Sequence, residues 1–495
     1  MFRYQSFFVY VLLVLSIVAI SISVTLSTSP NINDLGIQIN DILTGCQSNH
    51  SCFGTSWSIA VDQLNSTTGK FDQIYRFNEL SALTPASNTK LLTTIVMYLT
   101  MGQHYTIQTP FYTDKPFHSG EPIETLCVKG QGDPSITSAQ LNQASQFFAK
   151  SSGINQLVFD NSYYIGNAIP PSWEWEDLTA NYGALPTTLM VNENTVGFTV
   201  VASSAVGGLP NIVLDNQADS AYLNVVNNAV TGSSTSKNSI SVSFKFGSIQ
   251  PIVSGSIPAG SSGVHFTVPI LDPDTYFLNT FSEMIALNSP QSKPISTSFG
   301  QCNDEMYPVY VIESDNLDNL INHTLQVSDN LYAESFLRIM GAFNNHSANP
   351  SSQDGLFFVQ DILDGMGVDP LLYQQVDGCG LSRNNQITSM AFLTLLEAMY
   401  ANAGDPEHTY FYLLPVGGAS GTLSKRSLSS SVHAKTGSMS GVSSLSGIIT
   451  PHGISDTANP LFFSIIANNA NYATRLNPII DSIVGLLTQF STQSN

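Results

Sequence analysis

Apolar and small or polar positions alternate through Trp57, Ile59 and Val61, and a second extended run passes through Tyr75 and Phe77 after the Asn65-Ser-Thr-Thr-Gly69 stretch. A period of two residues on either side of a turn predicts a β-hairpin. Beyond Pro85 the period changes: Leu91, Leu92, Ile95, Val96 and Leu99 predict a strongly apolar helix. From about 105 to 290 Gly, Ser, Thr, Asn and Pro dominate, with short β-like runs such as 198–202 and 240–246. This stretch reads as a β-rich insertion over 105–294, in two nested modules. Helical signals return from Leu317 to about Met340. The runs 442–450 and 461–467 are strand candidates. Ile479, Ile480, Ile483, Val484, Leu487 and Phe490 then recur at helical spacing behind Pro478, which suits a first turn. Residues 40–104 and 295–495 thus supply strands and helices for one α/β (α+β) core that the insertion interrupts.

A chain of 495 residues suggests two or three domains, and 42% hydrophobic content is enough to fill real cores. A net charge of −20 argues against nucleic acid and anionic membrane surfaces as partners. Residues 1–28 carry Arg3, an apolar run over 7–24 and then small residues, the pattern of a secretory signal peptide or of an uncleaved anchor. The remainder is expected in a secreted, extracellular or endolysosomal space. Of five cysteines, Cys46 and Cys52 are close enough for a small-loop disulfide, and the odd total leaves a free thiol. Sequons at Asn49, Asn65, Asn322 and Asn345 are glycan acceptors if the host is eukaryotic. No metal-ligand spacing is present, and no cofactor is expected.

The chemistry concentrates in three short segments. Ser87-Asn-Thr-Lys90 heads the apolar helix. A serine hydroxyl needs a nearby base to become a nucleophile, and a lysine three residues on shares its face. A rival copy, Ser234-Thr-Ser-Lys237, lies in a Gly/Ser run with no helix after it and reads as loop. Ser-Asp-Asn occurs at both Ser314 and Ser328, and the triplet alone does not choose between them. Lys435-Thr-Gly437 occurs once, next to a strand-like run, where a lysine and a threonine can hold a carboxylate and a glycine allows close backbone approach.

The chain resembles the low-molecular-weight class C penicillin-binding proteins, the D-alanyl-D-alanine carboxypeptidase/endopeptidase family of penicillin-binding protein 4 type. The likeness extends beyond the three segments. It includes Gly130-Gln-Gly-Asp-Pro134, Pro170-Pro-Ser-Trp-Glu-Trp-Glu-Asp177, Ser328-Asp-Asn-Leu-Tyr-Ala-Glu334, Asp377-Gly-Cys-Gly-Leu-Ser-Arg383, Leu414-Pro-Val-Gly-Gly418, Gly421-Thr-Leu423 and His433-Ala-Lys-Thr-Gly-Ser438. The Asn-Leu-x-Ala-Glu continuation selects Ser328 over Ser314. Cys379 departs from the pattern, which has serine there.

The resemblance implies a transpeptidase-like fold, with an antiparallel sheet flanked by helices and a large insertion. It implies Ser87 as nucleophile, Lys90 as its base, Ser328 as proton relay and Asn330 as a holder of the peptide carbonyl. Lys435 and Thr436 would bind the terminal carboxylate beside Gly437, and the N–H groups of Ser87 and Ser438 would form an oxyanion hole. The implied activity is that of a secreted serine carboxypeptidase, with endopeptidase action open. Its partners would be peptidoglycan stem peptides ending in D-Ala-D-Ala, with β-lactams as covalent inhibitors. A β-lactamase or esterase on the same fold, or a non-catalytic peptidoglycan-binding protein, are the alternatives.

Overall fold

The structure is a computed structural model that describes residues 30–216, 219–220, 222–289, 294–344, 349–402, 409–451, 453–454, 459–471 and 475–493. The leader and the Asn345 sequon lie outside them. The chain divides into two compact units: the first holds residues up to 102 with 321–328 and 356–495, and the second holds 103–320 with 329–355. The second unit therefore takes up 295–320 and 329–355, beyond the expected 105–294. For 295–320 the reason lies in its sheet, which recruits the strands Ser296–Phe299 and Tyr307–Glu313 as its two edges.

The first unit is built on a five-stranded antiparallel sheet. Its order is Val432–Met439, Val442–Ile449, Leu461–Asn468, Ser56–Asn65 and Lys70–Phe77. The hairpin and both later strand candidates are thus present. Ile59 pairs with Phe77 on one side and with Ile465 on the other, so the start and end of the chain meet in the middle of the sheet. Alternation divides the faces. Trp57, Ile59 and Val61 share a core with Leu35, Ile39 and Leu43 of the helix Pro30–Ser48 and with Ile480, Ile483, Val484 and Leu487 of the helix Asn477–Gln493. On the other face the Ser58 hydroxyl donates to Ser389 Oγ at 2.8 Å, at the start of the helix Ser389–Tyr400. That helix is capped by Thr388, whose hydroxyl accepts from Ala391 N. A Cys46–Cys52 disulfide fastens the end of the first helix, as expected.

The second unit holds a mixed five-stranded sheet, Ser296–Phe299, Gly153–Asp160, Pro122–Lys129, Gln108–Thr113 and Tyr307–Glu313. Its core is aromatic: Phe111, Phe148, Phe159, Phe277 and Phe281 are all fully buried. The low-charge sequence of this region masked two helices, Ser138–Phe148 and Pro273–Asn288. The first carries a Thr137/Gln140 capping box, and the second an Asp272 cap followed by Pro273. A Cys127–Cys302 disulfide joins a central strand to a distant loop, and the buried Cys379 of the first unit takes part in neither disulfide.

Candidate active site

Pro85 is followed by Ala86 at φ 50, a left-handed conformation unusual for a residue with a β-carbon. The chain then makes a 3-10 turn over Ala86–Thr89 that runs into the helix Lys90–Met101. In a 3-10 turn side chains three apart eclipse one another, so Ser87 and Lys90 stack more directly than an α-helix would allow. Lys90 Nζ donates to Ser87 Oγ at 3.0 Å and to the Cys379 carbonyl at 2.7 Å. Lys90 is fully buried, as the apolar run around it dictates.

The turn is pressed onto the sheet. A β-carbon on Gly437 would come within 2.3 Å of the Pro85 carbonyl oxygen, so only glycine lets the strand approach this far. Ser444 Oγ donates to that same carbonyl at 2.6 Å, and Asn88 Nδ2 donates to Ser446 Oγ at 2.7 Å. The buried serines of Val442–Ile449 are thus a polar bed for the turn that carries Ser87.

The loop after Gly378 closes the other side. Asp377 is 1% exposed, and its carboxylate accepts from the N–H groups of Gly380 at 2.8 Å and Ser382 at 2.6 Å and from Asn385 Nδ2 at 2.8 Å. This wraps the loop so that the Gly378 carbonyl accepts from Thr93 Oγ1 and the Cys379 carbonyl from Lys90. Cys379 contributes its backbone here. Its thiol is buried and turned toward Asp377 at 3.8 Å, so the serine-to-cysteine departure leaves the contact to Lys90 in place.

Ser328 also has positive φ, at 63. Such strain persists where surrounding structure fixes it. Lys435 Nζ donates to Ser328 Oγ at 2.9 Å and to the Thr436 carbonyl at 2.8 Å, and Thr436 Oγ1 donates to Thr422 Oγ1 at 2.8 Å. Burial, and then the neighbouring Lys90, hold the Lys435 ammonium well below the usual lysine range. Of the expected residues, Ser87, Lys90, Ser328, Lys435, Thr436, Gly437 and Ser438 belong to the first unit. Ser438 is exposed on its strand and pairs in register with Ser443. Asn330 belongs to the second unit, where it heads the helix Asn330–Asn344 and donates through Nδ2 to the Tyr182 carbonyl at 2.8 Å.

The rival copies have other work. Ser234 lies in an exposed turn. Ser314 Oγ accepts from Ile107 N at 2.8 Å and fastens the end of a strand in the second unit. Trp173 is buried, and Trp175 packs its ring against Phe246.

The D-Ala-D-Ala carboxypeptidase 3 (S13) family matches this chain over residues 48–490. The chain belongs to that family. It is a family of serine peptidases. The "Penicillin-sensitive carboxypeptidase A" of Dictyostelium discoideum is 43% identical over 489 residues, covering 93% of each chain. A "D-alanyl-D-alanine carboxypeptidase" of Actinomadura sp. (strain R39) is 28% identical over 451 residues, covering 86% of this chain and 80% of the other. In fold, penicillin binding protein 4 (dacB) from Haemophilus influenzae superposes with a TM-score of 0.75 at 21% identity, covering 92% of this chain and 99% of that one. In this S13 member the residues that sequence reasoning left without a role are Asp377, Thr93, Ser444 and Thr422. An Asp followed by Gly-x-Gly-x-Ser is the signature of a carboxylate-wrapped turn, and that signal was available for Asp377. Thr93 and Ser444 act through contacts between distant segments.

Proposed function

We propose that the protein is a serine D-Ala-D-Ala carboxypeptidase that works through an acyl-enzyme on Ser87. The observation that carries this reading is the 3.0 Å hydrogen bond between Lys90 Nζ and Ser87 Oγ, inside a buried site that holds a second lysine. Two buried lysines within Coulomb reach of each other share one proton more readily than they hold two. A substrate carboxylate at Thr436 and Lys435 favours the charged form of Lys435, which leaves Lys90 as the neutral amine. Lys90 then takes the Ser87 proton as Oγ attacks the carbonyl of the penultimate D-alanine. The tetrahedral oxyanion is received by the N–H groups of Ser87 and Ser438. Ser328, bonded to Lys435, passes a proton to the leaving D-alanine amine, and water hydrolyses the Ser87 ester. Asn330 holds the peptide carbonyl.

The substrates are peptidoglycan stem peptides ending in D-Ala-D-Ala, and β-lactams are trapped at the acyl stage. Residues 1–28 direct the chain out of the cytosol, and no described helix is long and apolar enough to cross a membrane. Mass spectrometry after incubation with a labelled penicillin tests the assignment. One adduct on the Ser87 peptide, absent in Ser87→Ala, is the expected result; an adduct elsewhere, or stem-peptide turnover without one, overturns it.

A further inference from the structure

The Thr436 hydroxyl does not stand alone at the edge of the site. It donates to Thr422 Oγ1 across 2.8 Å. A hydroxyl carries one proton and two acceptor sites, so a Thr422 oxygen that already accepts from Thr436 still has its own proton to give. Thr422 is exposed and Thr436 half-exposed, so both can meet a ligand.

Thr422 is also held in position. It is the middle residue of a 3-10 turn, Gly421–Leu423, whose Leu423 side chain is fully buried and whose Leu423 carbonyl accepts from Gly418 N at 3.1 Å. On the other side Gly421 has φ 54, and a β-carbon there would stand 2.7 Å from the Gln326 carbonyl oxygen. Gln326 in turn donates through Nε2 to the Leu413 carbonyl at 3.1 Å. The turn bearing Thr422 therefore rests on the residue two positions before Ser328.

We propose that Thr422 is a specificity-determining residue of this site: when the terminal carboxylate of the substrate arrives, the Thr436 hydroxyl turns its one proton from Thr422 to one carboxylate oxygen and the Thr422 hydroxyl donates its own to the other. Two hydroxyl oxygens 2.8 Å apart, with the buried Lys435 behind them, suit the two oxygens of one carboxylate. The proposal rests on the carboxypeptidase reading and adds to it a selector for a free C-terminal acid over an amide or ester.

The test compares Thr422→Val, which keeps the shape without the hydroxyl, with Thr422→Ser, which keeps the hydroxyl. Each is assayed with a stem peptide ending in D-Ala-D-Ala and with the same peptide amidated at its C-terminus, alongside penicillin labelling of Ser87. Thr422→Val is expected to raise KM for the acid about tenfold, one lost hydrogen bond to a charged group, with kcat little changed. The amide should be turned over as by the wild type, and Thr422→Ser should restore the acid. A wild-type KM in Thr422→Val, or equal losses on acid and amide, overturns the role of Thr422. A wild-type protein that takes no penicillin label on Ser87 overturns the reading beneath it, so the two failures are distinguishable.

Discussion

The Gly437 α-carbon lies against Pro85 so closely that a β-carbon would stand 2.3 Å from the Pro85 carbonyl oxygen. The strand that carries Lys435 and the turn that carries Ser87 are therefore spaced by the absence of one methyl group. Gly437→Ala should cost about 2 kcal/mol of stability, because the clash is with backbone and a rotamer change does not relieve it. It should also slow penicillin acylation by about a hundredfold, since a displacement on the order of 1 Å between reacting groups has that effect. Denaturant unfolding and stopped-flow labelling measure the two separately.

The two lysines have different proposed duties and should fail differently. Lys90→Met removes the base beside Ser87 and should lower acylation on the order of a thousandfold for acid and amide substrates alike. Lys435→Met should weaken acid substrates more than amides, because the group lost is the one behind the carboxylate. A matched pair of peptides assayed with both variants checks the distinction.

Asp377 shapes the loop whose carbonyl receives Lys90. Asp377→Ala leaves the buried N–H groups of Gly380 and Ser382 without this acceptor and takes from Asn385 Nδ2 one of its two acceptors, the other being the Ser382 carbonyl. The expected loss is about 3 kcal/mol, with a fall in acylation rate larger than Cys379→Ser produces. Thermal unfolding and labelling kinetics of the two variants, side by side, test this.

A carboxyl pair, the buried Asp62 and the half-buried Glu397, lies between the first unit's sheet and the helix Ser389–Tyr400. Glu397 meets Asp62, which pairs with Arg76 at 2.7 Å. Burial first, and then Asp62, push the Glu397 carboxyl from 4.5 up to about 9, while Arg76 opposes the shift. The folded state therefore binds the proton more tightly than the unfolded state. The stability this confers is fully present below pH 4.5 and is lost as pH rises from there toward 9. Thermal stability should fall across that window, and Glu397→Gln, which keeps the neutral form, should flatten the fall. Melting curves from pH 4 to 9 check the slope.

Much of the first unit was legible in the residues. The alternation at Trp57, Ile59 and Val61 was strong because the strand's other face carries the small or polar Ser58, Ala60 and Asp62 under a helix, and the period at 479–490 because that helix has one face on the core and one on solvent. The second unit was harder to read. Its two helices sit among short strands in a stretch poor in charge, where the polar face that marks an amphipathic helix is weak. In the site, Ser87 and Lys90 were legible because they are neighbours on one turn. Asp377 carried a local signal, Asp followed by Gly-x-Gly-x-Ser, that was left unused, while Thr422 had none, since its contact to Thr436 joins a 3-10 turn to a strand that comes later in the chain. Lys435 was expected as a cationic anchor; its burial, with Lys90 close enough to lower its proton affinity, appears only when the strand and the turn are seen together.

The pairing of Ser56–Asn65 with Leu461–Asn468 also sets a schedule. A ribosome releases Ser87 and Lys90 early, but the bed of serines beneath them and the second lysine are made in the last part of translation. Until then the hydroxyl has no sheet to be held against, so the nascent chain is chemically silent. Truncation after residue 440 would retain all three short motifs and is expected to give no penicillin label, because the proposed catalytic groups are brought together only when strands from early and late in the chain pair.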